Sequence, residues 1–194
     1  MEQLDVLQSF TRRLEKIGIQ YMLTGSMALS QYAIPRSTVD IDIVVAINTA
    51  VLPEFFDEFQ SDYYIPVGSA RNAVARSSMF NVLNNATLVK VDCILLKSDE
   101  FQQHAFKRRQ HVNYAGEVDL WIISREDLMI SKLLWSQKSR SSRQLDDVAS
   151  IIKNGFDAGY LSYWVERLGL QNEFDESQKR AETRHIDGYD TGDR

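Results

Sequence analysis

The chain has 194 residues, of which 44% are hydrophobic, 25% charged and 10% aromatic, with 22 Lys and Arg against 27 Asp and Glu for a formal net charge of −5. This composition fits a globular protein that buries a core without covalent staples, and it excludes collagen, coiled coil and wholesale disorder. It also excludes a uniformly basic surface, though not a local basic patch, and the single Cys93 excludes an internal disulfide or a multi-cysteine metal cluster.

The N-terminal residues lack a basic start followed by an apolar run, which predicts no secretory signal. No stretch approaches the roughly 18 to 20 apolar residues of a membrane span. The expectation is a cytoplasmic protein that makes no use of a membrane.

Leu4, Leu7, Phe10, Leu14 and Ile17 recur at spacings of three and four, predicting an amphipathic helix that stops at Gly18. Ile19 to Leu23 alternates as a short strand, Thr24-Gly25-Ser26 breaks it, and Met27 to Tyr32 reads as a helix closed by Pro35. Val39 to Ile47 is a strand by composition, and Val51 to Phe59 a helix facing a core with Leu52, Phe55, Phe56 and Phe59. Ser69 to Ser77 is a weaker helical stretch. Met79–Leu83 and Thr87–Leu96 read as strands joined by a tight turn at Asn84-Asn85, since Asn tolerates positive φ. Ser98-Asp99-Glu100 opens a helix, and His111–Tyr114 with Val118–Ile123 forms another hairpin.

The last third turns helical. Ser124, with Asp127 three residues on, caps a helix to about Gln137. Ser141–Asn154 and Leu161–Leu168 follow, stopped by Gly155 and Gly169. From Gln171 the chain is polar with little apolar periodicity, which predicts a disordered tail over 171–194. The element order predicts an α/β (α+β) core over 1–123 and a small C-terminal helical subdomain over 124–170.

Three features carry chemistry. Asp40 and Asp42 sit two apart in a strand and project from one face, while Val39, Ile41 and Ile43 face the core. Paired carboxylates of this kind either bind Mg²⁺ or Mn²⁺ or line the solvent side of an edge strand. Gly25-Ser26 stands between strand and helix, where free N–H groups and the helix dipole attract anions, or where Ser26 is simply an N-cap. Arg36 could pair with a phosphate or with Asp40. Asp92, in the apolar run Val89 to Leu96, is a third carboxylate if its strand lies beside the Asp40 strand, or else the ion-pair partner of Lys90.

Thr24-Gly25-Ser26-Met27-Ala28-Leu29, followed by Pro35-Arg36-Ser37-Thr38-Val39-Asp40-Ile41-Asp42, resembles the nucleotidyltransferase fold superfamily that includes DNA polymerase β. The likeness is strongest to the bacterial branch around the AbiEii toxins. It implies a mixed sheet flanked by helices, a Mg²⁺- or Mn²⁺-dependent transfer of NMP from an NTP such as ATP, and particular roles. Gly25, Ser26 and Arg36 would meet the nucleotide. Asp40, Asp42 and Asp92 would be the catalytic metal ligands. Glu126 to Leu133 is similar to that branch's lysine-bearing helix, which would bring Lys132 to the triphosphate. Arg143-Gln144-Leu145-Asp146-Asp147-Val148 is similar to a further motif in which Asp147 matches the second acid, but Gln144 stands where the first is expected.

The acceptor implied is an RNA end such as tRNA, a protein hydroxyl or a small molecule. The setting implied is a toxin–antitoxin or phage-defence system with a cognate antitoxin protein. An antibiotic-type small-molecule nucleotidyltransferase shares the same core, and a catalytically degenerate member would bind nucleotide or a partner without turnover. The clusters Lys107-Arg108-Arg109-His111 and Lys138-Arg140-Arg143 suit either a nucleic-acid backbone or a solvated helix surface. Trp121, Trp135 and Trp164 are expected in the core.

Overall fold

Every third or fourth residue of the first helix, α1 (Glu2–Lys16), is buried: Val6, Leu7, Phe10 and Leu14 line its inner side. The structure is a computed structural model that describes residues 2–186. The described chain divides into two units. One comprises residues up to Gln31 together with Arg36–Ile123; the other comprises Tyr32–Pro35 with the chain from Ser124 onward.

In the first unit, α1 leads into β1 (Tyr21–Leu23), α2 (Gly25–Tyr32, its last residue in the second unit), β2 (Asp40–Val45), α3 (Leu52–Phe59), β3 (Tyr63–Tyr64) and α4 (Val67–Arg76). It continues through β4 (Met79–Asn84), β5 (Lys90–Leu95), α5 (Glu100–Lys107), β6 (Gln110–Tyr114) and β7 (Val118–Ile122). The strands form one mixed sheet in the order β3-β4-β5-β2-β1-β7-β6. β2 pairs with β5 in parallel and β1 with β7 in parallel, while the other pairs are antiparallel.

The alternation of β2 sorts its side chains. Ile41 and Ile43 are fully buried, and Asp40 and Asp42, alternating with them, are half-buried on the other face. On the apolar side Phe10, Phe55, Phe59, Tyr63 and Phe80 form an aromatic cluster. Phe55 and Phe10 each lie 4.6 Å from Phe59, and Phe80 meets Phe55 edge-on at 5.7 Å between centroids. Arg13 stacks over Phe59 at 4.7 Å and pairs with Glu58 and Asp62, tying α1 to α3 and to the start of β3.

The second unit holds α6 (Arg125–Ser139), α7 (Ser142–Ile152), α8 (Ala158–Leu168) and α9 (Gln171–Ile186). Ser124 caps α6: its hydroxyl accepts from the Asp127 N–H and donates to Asp127 Oδ2 at 2.6 Å. Asp127, fully buried, also accepts from the Tyr160 hydroxyl. Among the described residues no helix is long and apolar enough to cross a membrane.

Several expectations change. Residues 171–186, expected to be disordered, are helical, and the rest of that stretch, 187–194, lies outside the described residues. Phe174, Ser177 and Ala181 are buried at spacings of three and four, and Arg180 reaches Asp146 and the Ser142 carbonyl of α7. The Asn84-Asn85 pair is not a two-residue turn. Asn84 Oδ1 accepts from Ala86 and Thr87, the Asn84 N–H meets the Val89 carbonyl, and the left-handed residue is Leu88 (φ 58°). Val39 precedes β2 and is 77% exposed rather than facing the core. Trp135 is 57% exposed, whereas Trp164 is buried. The two-residue β3 had no counterpart among the expected strands.

Phe55→Ala should lower unfolding free energy by about 3 to 5 kcal/mol, because its fully buried ring packs against Phe10, Phe59 and Phe80, which cannot collapse into the gap. Urea denaturation monitored by circular dichroism measures the loss.

Candidate active site

Parallel pairing sets Asp42 directly against Asp92 and Asp40 against Lys90. Residues two apart on one strand share a face, so all four side chains rise from the same side of two adjacent central strands. Asn81 of β4 is in register with Asp92 on its other flank. The opposite faces of the same strands carry Ile41, Ile43, Val91, Cys93 and Phe80, all buried.

Gly25 closes this group from one side. The Thr24 N–H donates to the Asp42 carbonyl at 2.9 Å, so the chain leaving β1 turns beside β2. Gly25 adopts φ +66°, and a methyl built on it overlaps the Asp42 carboxylate. Glycine is required there both for the left-handed conformation and for the close approach. α2 starts at this residue, and the first N–H groups of any helix lack intrahelical acceptors. Ser26 is half-buried in that first turn. The Tyr114 hydroxyl bonds both the Met27 carbonyl and Ser30 Oγ, anchoring α2 to β6. Arg36 lies half-buried in the segment entering β2.

Lys90 Nζ stands 3.2 Å from Asp40 Oδ2 and 3.2 Å from Asp92 Oδ2. Asp92 is only 7% exposed, and its Oδ1 is buried without a hydrogen-bond partner. Burial pushes the Asp92 carboxyl above the usual aspartate range; Lys90 opposes that shift and Asp40 adds to it. Burial works against the Lys90 charge, but the hydrogen bonds and charges of Asp92 and Asp40 outweigh it and raise the Lys90 pKa.

Among the described residues no three His, Cys, Asp or Glu side chains converge as they stand into a metal-binding group. The donor chemistry nevertheless suits a hard divalent cation: three carboxylates, one with an orphaned buried oxygen. The expected alternative of a Lys90–Asp92 ion pair is present, and the sequence did not offer the contact of Lys90 with Asp40. The position of Lys90 two residues before Asp92 on a strand is the signal for its place on the same face.

Lys132 and Asp147 belong to the second unit, each 4% exposed. Lys132 Nζ donates to Asp147 Oδ2 at 2.7 Å and to Gln144 Oε1 at 3.3 Å. Within the second unit Lys132 is thus held by a buried ion pair. Gln144 supplies a neutral acceptor at the position where the related motif carries an acid. Of the two basic clusters, Arg109 is stacked between Phe106 and Trp121, at 4.3 and 4.9 Å from the ring centroids, and His111 meets Trp121 edge-on.

This sheet is a nucleotidyltransferase fold. Among solved structures the chain is similar to ANT(2")-Ia in complex with adenylyl-2"-tobramycin, with a TM-score of 0.60 at 10% identity over 90% of this chain and 99% of that one. It is also similar to an antigenic nucleotidyltransferase-like protein from Paracoccidioides brasiliensis, with a TM-score of 0.52 at 16% identity over 91% of both chains. A third similar structure is the lincosamide antibiotic adenylyltransferase LnuA with lincomycin bound, with a TM-score of 0.53 at 13% identity over 78% of this chain and 97% of that one. No curated protein matches the sequence. Residues 2–166 match the family described as a nucleotidyltransferase of unknown function (DUF6036), and the chain belongs to that family.

Three variants probe these clusters. Lys132→Met leaves Asp147 buried and without its ammonium, and should lower stability by about 3 to 5 kcal/mol in chemical denaturation; Lys132→Met/Asp147→Leu should recover most of it. In metal-free protein the folded state holds the Asp92 proton at pH values where the unfolded chain has released it, so this carboxylate weakens the fold as pH rises through that window. Asp92→Asn should therefore melt above wild type at pH 7 in EDTA, and the gap should close toward about pH 4, the ordinary aspartate range.

Proposed function

We propose that the protein is a metal-dependent nucleotidyltransferase that moves an NMP from an NTP to a hydroxyl acceptor. The observation that supports this reading is the gathering of Asp40, Asp42 and Asp92 on one sheet face, beside the glycine turn that opens α2. Asp40, Asp42 and Asp92 would hold Mg²⁺ or Mn²⁺. The bound cations would supply charge stabilisation to the attacking and leaving oxygens of an in-line displacement.

The chain's own groups do the rest. Gly25, Ser26 and the first turn of α2 would receive the polyphosphate on N–H groups, with Arg36 as a further cationic contact. The acceptor hydroxyl would attack the α-phosphorus. The bond from that phosphorus to the bridging oxygen would break, and pyrophosphate would leave with the electron pair. Asp92 would take the hydroxyl proton.

On the sequence resemblance to the AbiEii toxins, the acceptors to try would include RNA ends such as tRNA and protein hydroxyls, in a toxin–antitoxin or phage-defence setting with a cognate antitoxin. The fold shared with ANT(2")-Ia and LnuA adds aminoglycosides and lincosamides. A binding-only member is the second reading, favoured by the Lys90 ammonium seated between two of the carboxylates.

Incubation with each α-³²P-labelled NTP and Mg²⁺ should transfer label to one acceptor class among tRNA, total protein, aminoglycosides and lincosamides. Asp40→Asn and Asp42→Asn should each reduce transfer about a hundredfold or more. Retained NTP binding with no label on any acceptor would overturn the enzyme reading in favour of the binding-only one.

A further inference from the structure

The ammonium of Lys90 touches one oxygen of Asp40, its register partner on β2, and one of Asp92, two residues along its own strand, both at 3.2 Å and on the same sheet face. Three carboxylates share that face with the Lys90 ammonium. Like charges at such spacing repel strongly unless a positive charge lies among them. Lys90 supplies that charge within the metal-free chain, and its side chain is about as exposed as that of Asp40, 35% against 37%, so it has an outward path. Asp92 Oδ1, buried and unpartnered, is the oxygen that the ammonium leaves unsatisfied.

We propose that Lys90 is a tethered counter-ion that competes with the divalent metal for Asp40 and Asp92, and that an anionic polyphosphate draws it off, so metal and nucleotide load together. This rests on the metal-dependent reading of the same site. A divalent cation seated on these carboxylates would compete with the ammonium for Asp40 Oδ2 and Asp92 Oδ2 and repel its charge, so metal binding alone would push Lys90 toward solvent. A polyphosphate beside the carboxylates offers the released ammonium a new partner, which raises metal affinity when both ligands are present. Metal binding and nucleotide binding thereby become mutually reinforcing.

Mn²⁺ binding to the full chain, followed by electron paramagnetic resonance without nucleotide, tests this. Lys90→Met keeps the length of the stem and removes the charge; it should bind Mn²⁺ at least about tenfold more tightly than wild type. Lys90→Arg should stay close to wild type. Adding a non-hydrolysable NTP analogue should tighten Mn²⁺ binding in wild type, and by a clearly smaller factor in Lys90→Met. Thermal melts give a readout free of turnover and of nucleotide: in EDTA, Lys90→Met should melt below wild type, and Mn²⁺ should raise its melting point more than that of wild type.

If Lys90→Met binds Mn²⁺ equally or more weakly, while Asp40→Asn and Asp92→Asn abolish binding, the counter-ion role is overturned and the metal site stands. If none of these substitutions alters Mn²⁺ binding, both the counter-ion role and the metal-dependent reading fall.

Discussion

Parallel pairing between β2 and β5 holds the register on which everything else in the first unit rests. It places Asp42 against Asp92 and Asp40 against Lys90 on one face, and Ile41 against Val91 and Ile43 against Cys93 on the other. Because side chains alternate with a period of two, a slip by one residue in either strand would send carboxylates into the aromatic core and aliphatic groups to the site. The buried face therefore enforces the site geometry. Phe10, Phe55, Phe59, Tyr63 and Phe80 pack beneath the same strands and make the correct register by far the most favourable one.

That dependence explains what could be read from sequence. The i, i+2 spacing of Asp40 and Asp42 in an apolar strand is enough to put them on a common face. The Gly25-Ser26 break marks the turn that approaches them. Whether Asp92 joins them hangs on which strands are neighbours and in which direction they run, a long-range property that spacing along the chain does not carry. Lys90 is visible as a neighbour of Asp92, but its contact with Asp40 exists only across the strand pair.

The sequence signals are weak where small or polar residues take the inward positions. In α9 the inward residues are Phe174, Ser177 and Ala181; two of the three are small, so the apolar stripe scarcely registers although the helix packs on α7 through Arg180. The β4–β5 connection uses Asn84 as a side-chain acceptor and lets Leu88 take the left-handed position, a division of labour that the dipeptide preference of tight turns does not describe. By residue type Lys132 is a surface cation. Within the second unit it is buried against Asp147 and Gln144 one helix away, contacts that spacing along the chain does not reveal.

The face bearing Asp40, Asp42 and Asp92 also sets the folded chain at odds with its own stability. A strand shaped for stability alone would place Thr, Asn or Ser at those three positions, with the same backbone, the same register and no like-charge repulsion. Such exchanges would leave Ile41, Ile43, Val91 and Cys93 untouched, so the path to a chemically silent protein with an intact fold is short. A lineage that drifted without a use for the carboxylates would be expected to follow it within a few substitutions. This chain stands at the start of that path, with all three acids in place and a lysine among them.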